Sequence, residues 1–139
     1  MPLMRALLIL LFCGFASAAS AASVYIEELT WPEIKARMDA GAKTIIIPTG
    51  GTEQNGPAIA TGKHNATVRY TAGKIAEALS NALVAPVLAY VPEGNITPPS
   101  GHMQFPGTIS LKEETFAAVL EDTAASFRQH GFTRIAFLG

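Results

Sequence analysis

The most constraining feature of this chain is an unbroken apolar, β-branched run, Thr44-Ile45-Ile46-Ile47-Pro48, set between two segments of helical periodicity. A strand with one wet face alternates apolar and polar residues. A run without alternation needs cover on both faces, as in a parallel sheet with helices above and below. Upstream, Thr30-Trp31-Pro32-Glu33 carries the signature of a helix start, with Thr30 as cap, Pro32 in the first turn and Glu33 placed to reach back. Ile34 and Met38 lie four apart on one face, Trp31 reads as a packing residue, and Gly41 ends the helix.

The pattern repeats. Asn65 is positioned to cap a helix running to about Ala82, with Val68, Ala72, Ile75 and Leu79 as its apolar stripe. Leu83 to Val91 is a second Val-rich strand candidate. Ser110-Leu111-Lys112-Glu113 has the spacing of a second capping box. The helix behind it carries Phe116, Val119, Leu120, Thr123 and Phe127 on one face and is closed by Gly131, with Arg134 to Leu138 as a third strand. Helices alternating with strands predict an α/β fold, a mostly parallel sheet flanked by helices. Ligands of such sheets bind beyond the carboxyl ends of the strands. Here those ends lead into a polar loop, Thr49 to Lys63, and a proline-rich loop, Pro92 to Gly107. Loops of that length in a compact domain are commonly functional.

Residues 1–22 are read as a secretory signal peptide: Arg5 is the only charge, Leu7 to Phe15 is apolar, and small residues follow. Nine or so apolar residues fall short of the ~20 needed to span a bilayer. Cys13, preceded by Phe12 rather than a small residue, belongs to that apolar stretch and not to a lipidation site. The mature chain, residues 23–139, would then hold no cysteine, which excludes disulfides and a thiol nucleophile. It is expected in the periplasm or secreted, with no membrane association after cleavage. The net charge of -1 and the scattered Lys and Arg argue against a nucleic-acid partner.

Several motifs can be set aside. Gly56 to Gly62-Lys63 has five intervening residues where a phosphate loop needs four. There is no dinucleotide fingerprint and no nucleophile elbow. Asn65-Ala66-Thr67 and Asn95-Ile96-Thr97 match the short glycosylation pattern and are assigned no function. What remains is Glu53, Asn55 and His64 in the first loop, and His102 in the second. Glu53 and His64 are candidate metal ligands, a hard oxygen and an imidazole nitrogen, and Asn55 could add a carbonyl oxygen. The plainer alternative makes Glu53 a solvated loop acid and His64 a turn residue. His102 is a candidate proton carrier or substrate contact, or a loop histidine with a structural hydrogen bond. His130, at a helix end, reads as structural.

Three segments together resemble one family. They are Ile47-Pro48-Thr49-Gly50-Gly51-Thr52-Glu53-Gln54-Asn55-Gly56-Pro57, Gly62-Lys63-His64, and His102-Met103-Gln104-Phe105-Pro106-Gly107-Thr108-Ile109-Ser110-Leu111, with His130-Gly131-Phe132-Thr133-Arg134-Ile135 in support. They resemble the creatininase family of metal-dependent amide hydrolases. The resemblance covers nearly all of the mature chain and the N-terminal portion of the family's domain. It implies an α/β fold with a metal pair, zinc or manganese, at the strand ends, opening cyclic or linear amides with a metal-activated water. It further implies that Glu53 matches the family's first ligand, that Asn55 stands where the family has a ligand His, that His64 stands where it has a bridging Asp, and that Ala58 replaces a second His. A neutral imidazole offers one lone pair and cannot bridge two ions as a carboxylate does. The site would then hold one ion through Glu53, His64 and a ligand beyond Gly139, or its metal chemistry is altered. The remaining ligands of the family are expected after Gly139. The resemblance also makes a homo-oligomer and a small amide substrate the expected partners. The rival reading is a non-catalytic exported binding domain that keeps the fold.

Overall fold

The computed structural model describes residues 23–139; the signal-peptide reading, with Cys13, falls on residues outside that range. Three helices and three strands alternate: α1 (Trp31–Asp39), β1 (Thr44–Pro48), α2 (Lys63–Leu79), β2 (Ala82–Val84), α3 (Glu113–Gln129) and β3 (Arg134–Leu138). The sheet is wholly parallel, in the order β2-β1-β3. Ile45 pairs with Leu83 on one side and with Ile135 on the other. The fold expected from the alternation of elements is the one observed.

The central position of β1 explains its composition. All five of its residues are buried. Ile45 and Ile47 point into a cluster with Met38, Ala42, Leu83, Ala85 and Phe132, against which Ile34 of α1 and Phe127 of α3 pack. Ile46 points the other way, against Ala72 and Ala76 of α2 and Ala82 and Val84 of β2. Alternate side chains thus meet helices on opposite faces, and the one polar residue of the strand, Thr44, lies at its start, where its hydroxyl accepts from Arg134 Nε at 2.9 Å.

Local chemistry places the helix ends with some differences from expectation. At α1 the Glu33 carboxylate accepts from the Thr30 backbone N–H at 2.7 Å and from the Thr30 hydroxyl at 2.6 Å, half of a capping-box exchange that fixes the first turn. Gly41 and Gly131 follow α1 and α3 at positive φ, as helix-ending glycines do. Trp31, expected to pack, is 77 % exposed, because α1 turns Ile34 and Met38 inward instead.

α2 begins at Lys63, with Gly62 at its cap position, so Asn65 lies inside the first turn and does not cap it. The buried face of α2 is Val68, Ala72, Gly73 and Ala76, rotated away from the expected Ile75 and Leu79, which are exposed. Small residues win that face because the helix lies close to the sheet and to Tyr25, whose hydroxyl sits where a side chain on Gly73 would be and donates to the Arg69 carbonyl at 3.1 Å. The helix stops at Leu79 and not near Ala82, because Ser80 turns into the left-handed conformation at φ 55° and the Asn81 carbonyl then accepts the Thr44 N–H at 3.3 Å. β2 is also shorter than the expected 83–91. Pro86 has no N–H to continue the ladder, and pairing resumes as isolated bridges, Leu88 with Thr49 and Val91 with Ser110.

Ser110 does not cap α3 either; Lys112 occupies that position and Ser110 is used elsewhere. The face expected of α3 is correct, but it is only half-buried: none of its residues is fully covered. The outer edge of β2 is covered by the chain start, where Val84 donates its N–H to the Val24 carbonyl at 2.8 Å. Among the described residues no helix is long and apolar enough to cross a membrane. Replacing the fully buried Ile45 by Ala is expected to cost about 2–5 kcal/mol, read as a lowered urea midpoint with an unchanged slope.

Candidate metal site

Glu53 lies in the loop that leaves β1, and its position is fixed from three directions. Its backbone N–H donates to the Thr61 carbonyl at 3.2 Å. On one side of it the Thr52 hydroxyl donates to the Ala89 carbonyl, and the Thr52 carbonyl accepts from the Ile109 N–H at 2.9 Å. On the other side the Gln54 N–H donates to the Thr108 hydroxyl at 3.2 Å. The segment 52–54 is therefore threaded between the two ends of the proline-rich loop. Asn65, carried by α2, completes the clamp: its carboxamide accepts from the Gly51 N–H at 2.9 Å and donates to the Thr52 hydroxyl at 3.1 Å. This is why Asn65 is not a helix cap, and with both ends of its amide engaged it is a poor acceptor for glycosylation.

The two histidines reach Glu53 from different elements. His64, in the first turn of α2, places Nε2 2.8 Å from one Glu53 carboxylate oxygen, and His102 places Nδ1 3.3 Å from the other. His102 rides on a short 3₁₀ turn, Gly101–Gln104, within the proline-rich loop. Its Nδ1 also lies 3.2 Å from the Gln54 backbone carbonyl and 3.3 Å from the Gln54 side-chain nitrogen, so Gln54 faces that ring nitrogen with both an acceptor and a donor. Both histidine side chains are 42 % exposed while that of Glu53 is 12 % exposed, so the carboxylate forms the floor and the imidazoles the rim. Asn55 turns its amide nitrogen to the Glu53 carbonyl at 3.0 Å.

The sequence reading missed Glu93. This residue enters from the loop after β2, and its carboxyl is hydrogen-bonded to that of Glu53. Glu53, Glu93 and His102 each offer a ligand atom within 4.8 Å of the other two. Partial burial, then the hydrogen bond to Glu53 and its charge, push the Glu93 carboxyl up to about 7. Glu53 is held below its ordinary value, first by that same hydrogen bond and then by His102, His64 and Lys63. The pair behaves as two carboxylates that share one proton in the absence of a cation. Two carboxylates and an imidazole at this separation are a donor set that suits zinc or manganese. The signal that could have found Glu93 was the pair Gly50-Gly51. A side chain at Gly50 would collide with the Asn65 carboxamide, and a Cβ on Gly51 would come within 2.6 Å of Glu93 Oε1.

The family model for creatinine amidohydrolase matches residues 27–139. The chain is 31 % identical to creatinine amidohydrolase of Pseudomonas putida over 116 residues, 84 % of this chain and 44 % of that one. It is 30 % identical to 3-dehydro-scyllo-inosose hydrolase of Thermotoga maritima over 112 residues, 80 % of this chain and 33 % of that one. Among solved structures, a mutant creatininase superposes with a TM-score of 0.74 at 31 % identity, over 84 % of this chain and 44 % of that chain. A zinc-zinc form and a manganese form of creatininase each give 0.70 at 32 % identity, over 84 % of this chain, with 45 % of the zinc-zinc chain and 44 % of the manganese chain covered. The chain belongs to the creatininase family. It spans less than half the length of the curated relatives it matches.

The clamp on Glu53 gives a direct expectation. Asn65→Ala strands the Gly51 N–H and removes the amide donor to the Thr52 hydroxyl, which should cost about 1–3 kcal/mol. Faster amide hydrogen exchange at Gly51, along with a lower unfolding midpoint, is the measurement that checks it.

Proposed function

We propose that the protein is an exported, divalent-metal-dependent amidohydrolase that opens a C–N amide bond of a small cyclic or linear amide. The observation that carries this reading is Glu53, a mostly buried carboxylate at the carboxyl end of the central strand, with an imidazole on each oxygen and a second carboxyl beside it. Parallel α/β sheets bind ligands at that edge. The relatives are hydrolases by name, solved creatininases include zinc and manganese forms, and one mutant creatininase is complexed with creatine.

Glu53 is the anchor of the ion, His64 and His102 are the imidazoles within reach of it, and Asn55 braces the Glu53 backbone. A divalent ion bound there supplies Lewis acidity, polarising the amide carbonyl and lowering the pKa of a water. The chain's own groups do the rest. Glu53 supplies negative charge at a fixed point. His102, half-exposed on the rim beside Gln54, offers an imidazole nitrogen to the ion on the side open to substrate. His64 holds the orientation of the Glu53 carboxylate from the other side.

Zinc or manganese bound by the full-length protein, measured by elemental analysis, together with amide hydrolysis that is lost on chelation and restored by the metal, is the expected result. Glu53→Ala should abolish metal binding and turnover together, and His64→Ala should weaken both. A protein that folds normally and binds no metal, or whose metal content ignores both substitutions, is instead a non-catalytic binding domain on the same fold.

A further inference from the structure

We propose that Glu93 is a metal ligand of this site, completing with Glu53 and His102 the donor set of one ion. The inference rests on the metal-dependent reading above and extends it to a residue outside the first loop.

Three independent features support it. The first is position: the ligand atoms of Glu53, Glu93 and His102 lie within 4.8 Å of one another, the span of donors around a single ion. His64, although 2.8 Å from Glu53, stands on the opposite carboxylate oxygen from His102. The second is how Glu93 is held. Its backbone N–H donates to the Ser110 hydroxyl at 2.9 Å, that hydroxyl donates to the Gly94 carbonyl at 2.8 Å, and the Glu93 carbonyl accepts the His102 N–H at 3.1 Å. Glu93 and His102 are thus tied to each other through the main chain and move as one unit. Such rigid support is what a metal site requires of its ligands. The third is the clearance made for it. The Glu93 carboxyl lies against Gly51, at φ 148°, where any Cβ would meet Oε1 at 2.6 Å.

Lys35, Arg69, Lys74 and Lys112 form ion pairs with Asp39, Glu27, Glu28, Glu77 and Glu114, whereas Glu53 is paired with His64 and His102. The two site carboxyls have each other and the histidines. A divalent ion is the charge that this arrangement suits.

The test compares wild type with Glu93→Gln, an isostere that removes the charge and keeps a hydrogen-bond donor for Glu53. Glu77→Gln, on the exposed side of α2, controls for loss of one acid. Affinities for zinc and for manganese are measured by competition with a chromophoric chelator, and melting temperatures are taken in chelator and in excess metal. Glu93→Gln is expected to weaken metal binding about 100-fold or more, beyond the ~10–100-fold typical of groups that merely support a ligand. It should also lose most of the metal-induced rise in melting temperature while melting in chelator no lower than wild type. Glu77→Gln should behave as wild type. Glu93→Asp, which withdraws the carboxylate by one methylene, should also bind metal more weakly and provides the comparison should the glutamine variant not fold. A smaller loss of affinity in Glu93→Gln, or a lower melting temperature in chelator with the metal-induced rise intact, overturns the ligand role and leaves the metal-dependent reading standing. Absence of metal binding in the wild type overturns both.

Discussion

Two carboxyl groups in hydrogen-bonding contact cannot both be charged unless positive charge lies close by. In this chain Glu53 and Glu93 are brought into such contact at the carboxyl edge of a parallel sheet, and most of the surrounding loop structure serves to hold them there. Asn65 pins the Gly50–Thr52 backbone from α2, Ser110 pins Glu93 from the far end of the proline-rich loop, and His102 is tied to Glu93 through the main chain. A fold concerned only with stability would separate the two acids, since burying like charges works against folding. Keeping them together is the expense a functional site imposes on its scaffold.

The sheet makes this possible because β1 has no exposed face. With Ile45 and Ile47 locked into one core and Ile46 into the other, the strand cannot shift register without exposing its apolar set. The loop leaving Pro48 therefore starts from a fixed point, and the Glu53 carboxylate is aimed by strand, helix and two loops together. The first loop supplies Glu53, and the second loop contributes an acid of its own, Glu93.

The architecture was legible because period and punctuation are local. The unbroken β-branched run, the Thr30–Glu33 exchange and the glycines after α1 and α3 are each written within a few residues. The errors have one common source, competition for a side chain by a distant part of the fold. Asn65 and Ser110 look like helix caps, and both are recruited to hold site loops 14 and 17 residues away. In the stripe of α2, Val68 and Ala72 are buried as expected, whereas Ile75 and Leu79 give way to Gly73 and Ala76, since the close approach of Tyr25 leaves no room for a side chain at Gly73. Glu53, His64 and Asn55 are legible as candidate metal ligands and His102 as a proton carrier or substrate contact; the structure brings both histidines to the Glu53 carboxylate and turns the Asn55 amide nitrogen to the Glu53 carbonyl. Glu93 was not singled out, because an acid in a loop carries no periodicity. Only Gly51, 42 residues earlier in the chain, lies against its carboxylate.

The bond from Val84 to Val24 also sets a limit on how the amino terminus can be processed. β2 is a short, fully buried, apolar strand, and an edge of that kind pairs readily with any extended chain that meets it. The residues at 24 and 25 occupy that edge themselves. A chain that kept Val24 and Tyr25 would keep this edge covered, whereas loss of those two residues would uncover backbone groups able to recruit a neighbouring molecule.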